Sequence, residues 1–303
     1  MSKRALVTGS AGFVGRHLVP ALELAGYNVV AVDLADAAQP RDAREFFAHA
    51  GPDWGHFDVV VHAAAHVGGR VDIERRAAFI AAYNLQLDGA LFEWALRAEP
   101  DQIIYLSSSA AYPVHLQSHA LGARLSEGDI DLADPELPDA TYGWVKLTGE
   151  RMAAEMHAAN GQRVHVVRPF SGYGSDQDVS YPFGAFRARA LAQADPFEVW
   201  GNGKQVRDWI HIDDVVGAIM ALIDADLSPT TVNLCTGRGV SMVDLAHMFI
   251  RTTGRSSVYF PLITTNPDAP EGVQYRVGNP TRMQSIYVPK ITILEGVKRA
   301  CRR

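Results

Sequence analysis

Two side chains four residues apart, Tyr142 and Lys146, preceded by a run of hydroxyls, Ser107-Ser108-Ser109, could together do acid–base chemistry on an alcohol. At that spacing Tyr142 and Lys146 share one face of a helix. A phenol of pKa about 10 is a sluggish base at neutral pH, and an adjacent ammonium, or a positively charged ring beside it, favours the phenolate. Tyr142 would then take the proton of an alcohol whose carbon loses hydride. Lys146 would lower the phenol pKa and hold a ribose, and a serine hydroxyl would bond the same oxygen as its charge changes.

Such a reaction needs a hydride acceptor, and the N-terminal stretch Leu6-Val7-Thr8-Gly9-Ser10-Ala11-Gly12-Phe13-Val14-Gly15-Arg16-His17-Leu18 points to one. An apolar run, glycines three apart and a helical pattern are the marks of a strand, a phosphate-cradling turn and a helix N-terminus. Gly9 would make the turn, Gly12 the close approach to a pyrophosphate, and Gly15 the packing of helix on strand. A second strand-like run, Asn28–Asp33, ends in an acid placed to bond a ribose 2′-hydroxyl. Leu34 follows, with no Arg nearby to welcome a 2′-phosphate, so Asp33 favours NAD over NADP. The competing reading is an ordinary surface loop with a turn-forming Asp.

The elements that must position these groups alternate along the chain. Strand-like runs recur at Arg4–Thr8, Asn28–Asp33, Phe57–His62, Gln102–Ser107 and Arg163–Arg168, mostly with helix-like segments between them. That order implies a parallel sheet covered on both faces, with ligands at the carboxyl ends of its strands. The passage Ala35–His56 leaves little room for a full strand, so a third strand there would be short or distorted, and an acid for adenine cannot be placed. Ala63-Ala64-Ala65 either lets a ribose and phosphates pass close to the backbone or packs under the next helix. His66-Val67-Gly68-Gly69-Arg70 reads as a flexible turn bringing a guanidinium to substrate. Asn84 begins the helix-like segment Asn84–Arg97, its amide available to brace the active-site backbone.

With 303 residues, 48% hydrophobic and 20% charged, the chain has the composition of a soluble globular protein, in one elaborate domain or two cooperating lobes. Its net charge of −6 argues against a nucleic-acid partner, leaving any anionic ligand to local arginines and backbone amides. Cys235 and Cys301 are too few for a disulfide framework, lack metal-ligand spacing and fit a reducing cytoplasm. No membrane-spanning run or signal-peptide core is expected.

Together these residues carry a resemblance. The chain resembles the extended short-chain dehydrogenase/reductases, in their nucleotide-sugar epimerase and dehydratase branch. The motifs are Gly9-x-x-Gly12-x-x-Gly15, Asp33, Ser107–Tyr112, Tyr142-x-x-x-Lys146, Arg168-Pro169-Phe170 and the run from Gly203 to Asp214. The resemblance implies a Rossmann-like doubly wound α/β parallel sheet, residues 1–170 with 205–235 returning to it. A smaller C-terminal lobe, 171–204 and 236–303, would bind a nucleotide-diphosphate sugar. Counting back four from Tyr112 selects Ser108 as the catalytic hydroxyl beside Tyr142 and Lys146. NAD would be surrounded by Gly9, Ala11, Gly12, Phe13, Val14, Gly15, Asp33, Leu34, Ala63, Ala64, Ala65, Asn84, Tyr142, Lys146 and Pro169. Substrate would meet Gly69, Arg70, Ser109, Ser171, Arg207 and Arg276. The resemblance also implies a homodimer through the helices bearing Asn84 and Tyr142.

Reaction type turns on the residues after Ser108. Dehydratases of this branch carry an Asp-Glu pair there, decarboxylases a Glu at the second position, and 3,5-epimerases and fucose-synthase-like reductases a Cys; this chain has Ser109 and Ala110. Ala110 does no acid–base work, so a 4-epimerase, which needs only Ser108, Tyr142, Lys146 and NAD, is the expectation. Against it, Val67-Gly68-Gly69, Tyr112-Pro113, the segment Pro196–Gly203 and Pro270–Val273 resemble GDP-mannose 3,5-epimerases and fucose synthases. A GDP-sugar 3,5-epimerase-like enzyme, a dehydratase or a reductase is the alternative, and a non-catalytic NAD-sensing protein a second. Arg207 would grip the pyrophosphate, or else pair with Asp208 at the surface. Ser171 replaces a family Asn, and Ala269 a phosphate-binding Arg for which Arg276 could substitute. Asp213 and Asp214 read as N-terminal charges of a helix over Val215–Ala225.

Overall fold

Runs such as Val59-Val60-Val61 are apolar at every position, as a strand covered on both faces requires. The computed structural model describes residues 2–36, 39–51, 54–254 and 259–302. The chain begins with β1 (Arg4–Thr8), α1 (Gly15–Leu24), β2 (Asn28–Val32), α2 (Ala43–His49) and β3 (Val59–His62). Then come α3 (Arg70–Arg75), α4 (Ala77–Ala98), β4 (Ile103–Leu106), α5 (Ala140–Asn160) and β5 (Val164–Pro169). Beyond them lie β6 (Ser171–Tyr173), α6 (Pro182–Leu191), β7 (Phe197–Trp200), β8 (Val206–His211), α7 (Ile212–Asp224) and β9 (Thr231–Leu234). The chain closes with β10 (Gly239–Ser241), α8 (Met242–Thr253), β11 (Ile263–Asn266), β12 (Tyr275–Arg276), α9 (Thr281–Gln284) and α10 (Ile293–Ala300).

Six strands form one parallel sheet in the order β2-β1-β3-β4-β5-β9. The pleat sorts its side chains. Val60, Ile103 and Tyr105 meet α2, α4 and α5 through Phe47, Leu91 and Ala153; Val59, Val61 and Ile104 meet α1 and α7 through Leu18, Leu22 and Ile219. From β1 the chain steps outward to β2 and then back to β3 on the other side of β1. This reversal opens a crevice at the carboxyl ends of β1 and β3. The doubly wound α/β fold is the expected one.

Ala35–His56 supplies no strand among the described residues, of which residues 37, 38, 52 and 53 are not part. It supplies α2, started by Asp42, whose side chain accepts from Arg44 N at 2.8 Å. β2 is therefore an edge strand. Two helix starts lie earlier than the sequence suggests. α4 begins at Ala77 rather than Asn84, because Ala77-Ala78-Phe79-Ile80 already favours helix and buries Ile80. α7 begins at Ile212, where His211 caps Asp213 N.

In the remainder, β8 pairs antiparallel with β10 and parallel with β6 and β12, and β7 pairs with β11. Phe183, Phe197, Trp209 and Phe249 fill the core of this lobe. Of residues 205–235, β8 lies in this second sheet, while α7 packs on the central sheet and β9 completes it. Cys235 and Cys301 are free thiols. No helix among the described residues is long and apolar enough to cross a membrane.

Candidate active site

Gly9 leaves β1 with φ +71°, a left-handed conformation that favours glycine. A Cβ there would sit 2.5 Å from Ala64 N, so glycine also lets the loop lie against the Ala63–Ala64 backbone. At Gly15 a Cβ would lie 2.1 Å from Gly9 O, so the tight packing is of the start of α1 on the loop itself. Asp33 is tied to that loop: Oδ2 accepts from Ala11 N at 2.9 Å and Oδ1 from Ala35 N at 2.8 Å. A cleft of ≈ 250 Å³ follows these residues, lined by Gly9, Ala11, Gly12, Asp33, Leu34 and Ala63–Ala65 among others. A turn stripped of side chains beside a helix start, with a carboxylate lining the same cleft, fits a dinucleotide.

Phe13, Val14, Gly15, Asn84, Tyr142, Lys146 and Pro169 do not line that cleft. Phe13 packs beneath Arg16, 5.2 Å from its ring centre, and His17, and faces Gly174. Val14 is the N-cap of α1, and Pro169 ends β5 opposite Leu234. The expectation that no Arg approaches Asp33 is corrected. Arg41 N donates to Asp33 O at 2.8 Å, and the Arg41 side chain lines the same cleft, its guanidinium over Trp54 at 5.0 Å. The chain doubles back between β2 and α2, which no local pattern announces. Asp42 lines the cleft as well, an acid in the passage where none could be placed.

Tyr142 and Lys146 ride one face of α5. Lys146 is 2% exposed, its Nζ 5.9 Å from the Tyr142 ring centre and 4.9 Å from that of Tyr105. Contrary to the expectation that Lys146 lowers it, the Tyr142 phenol stands above its ordinary range, raised by burial and secondarily by the charge of Asp88. Burial lowers Lys146, with Asp88 and Glu150 opposing it. Although burial works against its charge, Asp88 is held below the usual carboxylate range by Lys146, His62 and Tyr105. Tyr105 OH donates to Asp88 Oδ2 at 2.6 Å, and His62 bridges Asp88 Oδ1 at 3.3 Å and Thr8 Oγ1 at 2.8 Å. This buried chain joins the end of β1 to the Lys146 pocket.

Ser108 caps the short turn Ser109–Ala111, its Oγ accepting from Ala110 N at 3.1 Å, and is partly exposed. Ser107 and Ser109 are buried, and Ser107 donates to Glu150, itself paired with Arg168 at 2.6 Å. That turn presses on the start of α5. A Cβ on Gly143 would lie 2.3 Å from Ala110 O, which accepts from Asp139 N at 3.0 Å.

The arginines expected at substrate gather in one place. Arg207 and Arg276 are register partners on β8 and β12. Asp208 does not pair with Arg207; its oxygens accept from Thr236, Gly237 and Gly278. Arg207 donates to Val206 O and Glu271 O, and burial together with Arg276 and Arg70 pulls it down to about 9. Arg70 opens α3, while Gly69 packs where a Cβ would lie 2.4 Å from Ser180 O. Ser171 stands apart, on β6 opposite Trp209. Asp214 is less a helix-end charge than an anchor, accepting from Tyr287 OH, Lys290 N and Ile291 N.

Asp139, bonded to both Arg70 and Arg276, escaped the sequence reading, as did Asp88 and Gln117, whose Oε1 accepts from Arg276 Nε at 2.5 Å. Asp88 had a signal: a carboxylate one turn after Asn84 in an otherwise apolar stretch. Asp139 and Gln117 had none.

Comparison with known proteins adds the lineage. Residues 5–235 match the model of the NAD dependent epimerase/dehydratase family. The chain is 29% identical to dTDP-4-dehydro-6-deoxy-D-allose reductase of Streptomyces bikiniensis, over 93% of this chain and 89% of that protein. It is 26% identical to GDP-mannose 3,5-epimerase of Arabidopsis thaliana, over 96% and 79%. UDP-glucose 4-epimerase of Thermus thermophilus, solved in complex with NAD, shares the fold at a TM-score of 0.85 and 22% identity, covering 98% of this chain and 97% of that one. With the match spanning well over half its length, from β1 to the end of β9, this chain belongs to the NAD dependent epimerase/dehydratase family.

Proposed function

We propose that this protein is a 4-epimerase of a nucleotide-diphosphate sugar. The observation that carries the reading is Ala110: buried, its carbonyl spent on Asp139 N, it puts no acid or base in the turn beside Ser108. What remains is a phenol, an ammonium and a hydroxyl, enough for oxidation and reduction at one carbon. NAD, when bound, supplies the hydride acceptor and donor. Gly9, Gly12 and Asp33 would hold its adenosine and pyrophosphate end, and Lys146 its nicotinamide ribose. Tyr142 takes the proton of the sugar hydroxyl and later returns it, while Ser108 hydrogen-bonds the same oxygen in both directions. Asn84 fixes the His66 backbone beside the cleft. Residues 171–204 and 236–303 would seat the nucleotide sugar. The exposed Leu85, Leu96 and Trp144 on α4 and α5 support pairing of two copies there.

A second reading, reduction of a 4-keto nucleotide sugar, is favoured by Arg41 in the cofactor cleft and by the reductase among the relatives. One experiment separates them. UDP-, GDP- and dTDP-hexoses are incubated with the purified protein without added cofactor and followed by NMR. Appearance of the C4 epimer supports the first reading. Turnover of only 4-keto sugars, and only with added NADH or NADPH, replaces it with the second.

A further inference from the structure

We propose that Asp139 is the built-in counter-ion of a diphosphate-binding site: its carboxylate holds Arg70 and Arg276 together until a nucleoside diphosphate takes them over. The inference rests on the nucleotide-sugar reading and names the charge its site is built for. Asp139 Oδ1 accepts from Arg70 Nη1 at 2.8 Å and Oδ2 from Arg276 Nη2 at 2.6 Å, and the Asp139 side chain is 9% exposed. Arg207 lies beside Arg276 in register, and among the described residues its guanidinium hydrogen-bonds only backbone carbonyls. A Cβ on Gly272 would lie 3.3 Å from Arg70 Nη1 and 3.5 Å from Arg207 Nη2, so both tips flank one bare stretch of backbone. Arg70 also meets Glu74 at 2.6 Å, but at a solvent-exposed margin where the pair is weak.

Inside the site three guanidiniums gather on one buried carboxylate, with Glu271 near Arg207 and Glu74 at the margin, an excess of donors that a diphosphate diester can take up. Like charges this close need a counter-ion when the site is empty. Burial, and then the charges of Arg276 and Arg70, lower Arg207, with Asp139 opposing them. Burial works against the charge of Asp139, and Arg276 and Arg70 outweigh it to keep the carboxylate ionised. Asp139 also ties the site to the chemistry: its N–H holds Ala110 O in the turn after Ser108, and its own carbonyl accepts from Gly143 N, next to Tyr142.

The test is binding of UDP and of GDP, by calorimetry and thermal melting, to the full chain and two variants. Asp139→Asn is expected to melt several degrees lower without ligand, to recover most of that loss with the diphosphate, and to bind it about tenfold more tightly. Arg70→Gln is expected to bind it about tenfold more weakly, with less sensitivity to salt. An Asp139→Asn protein that melts lower and binds the diphosphate no better overturns the proposal, since Asp139 is then only a structural tie. Should Asp139→Asn not fold, Arg70→Gln decides: unchanged diphosphate affinity overturns the proposal. Diphosphate binding that follows this pattern, without turnover of any nucleotide sugar, removes the epimerase reading and leaves the anion site. Binding of neither diphosphate by the unaltered protein removes both.

Discussion

Asn84 grips both polar groups of the His66 backbone: its Oδ1 accepts from His66 N at 2.7 Å and its Nδ2 donates to His66 O at 3.0 Å. Asn84 is 1% exposed on α4, and His66 follows Ala63–Ala65 in the lining of the cleft at Gly9. Asn84→Ala would leave that N–H and C=O unpaired, at a cost of about 1–3 kcal/mol. Urea unfolding should show that loss, and calorimetry a roughly tenfold weaker NAD affinity. Wild-type affinity in the variant would mean that the brace does not shape the cleft.

Removing the Tyr142 hydroxyl should cost about 10²–10⁴ in kcat, the usual worth of a positioned acid–base group, with NAD binding retained. Because burial and Asp88 hold the phenol above its ordinary range, its base form is scarce at neutral pH. Turnover should therefore climb as pH rises from about 6 towards 9. A flat profile with active Tyr142→Phe would exclude this residue as the base.

Asp33 and Arg41 line the same cleft, where the proposed cofactor would place its adenosine ribose. Asp33→Asn removes the charged acceptor and should weaken NAD by about 1.5–3 kcal/mol. NADP should lose less, because Arg41 stands in the same cleft to meet a 2′-phosphate. Arg41→Ala in turn should weaken NADP and spare NAD. Titrations of both dinucleotides against the three proteins check this pair of expectations.

His165, in β5, is fully buried with neither ring nitrogen hydrogen-bonded among the described residues, and burial, with Arg163, lowers it from 6.5 to about 4. The unfolded chain binds a proton here before the folded one does, so stability is complete above the unfolded pKa and falls as pH drops towards about 4. Between about pH 7.5 and 5 the loss from this group is about 2 kcal/mol. Denaturant titrations at the two pH values should show it, and His165→Val should reduce the difference by that amount.

Five of the six strands of the sheet were legible because they are short apolar runs with punctuation, β9 was not, and α5 was because Tyr142 and Lys146 keep helical spacing. The glycine loop was legible for the same reason: a positive φ at Gly9 and the closeness of Gly15 to its own loop are set within a few residues. Among the described residues the passage after Asp33 holds no strand, as its composition implies. Its return to Asp33, which places Arg41, did not show, because the contact depends on how Phe46 of α2 and Trp54 pack under the Arg41 guanidinium.

The amino-acid order by itself determined the parallel architecture, the dinucleotide turn and the stripe of phenol and ammonium, since each rests on local conformation or on side-chain periodicity. Only the tertiary structure decided what surrounds them. Asp139 meets Arg70 and Arg276 across 69 and 137 residues of chain, and Arg207 meets Arg276 only because β8 and β12 pair. Such charges find their partners through strand pairing and the packing of elements distant along the chain, and separation along the chain carries no record of that packing.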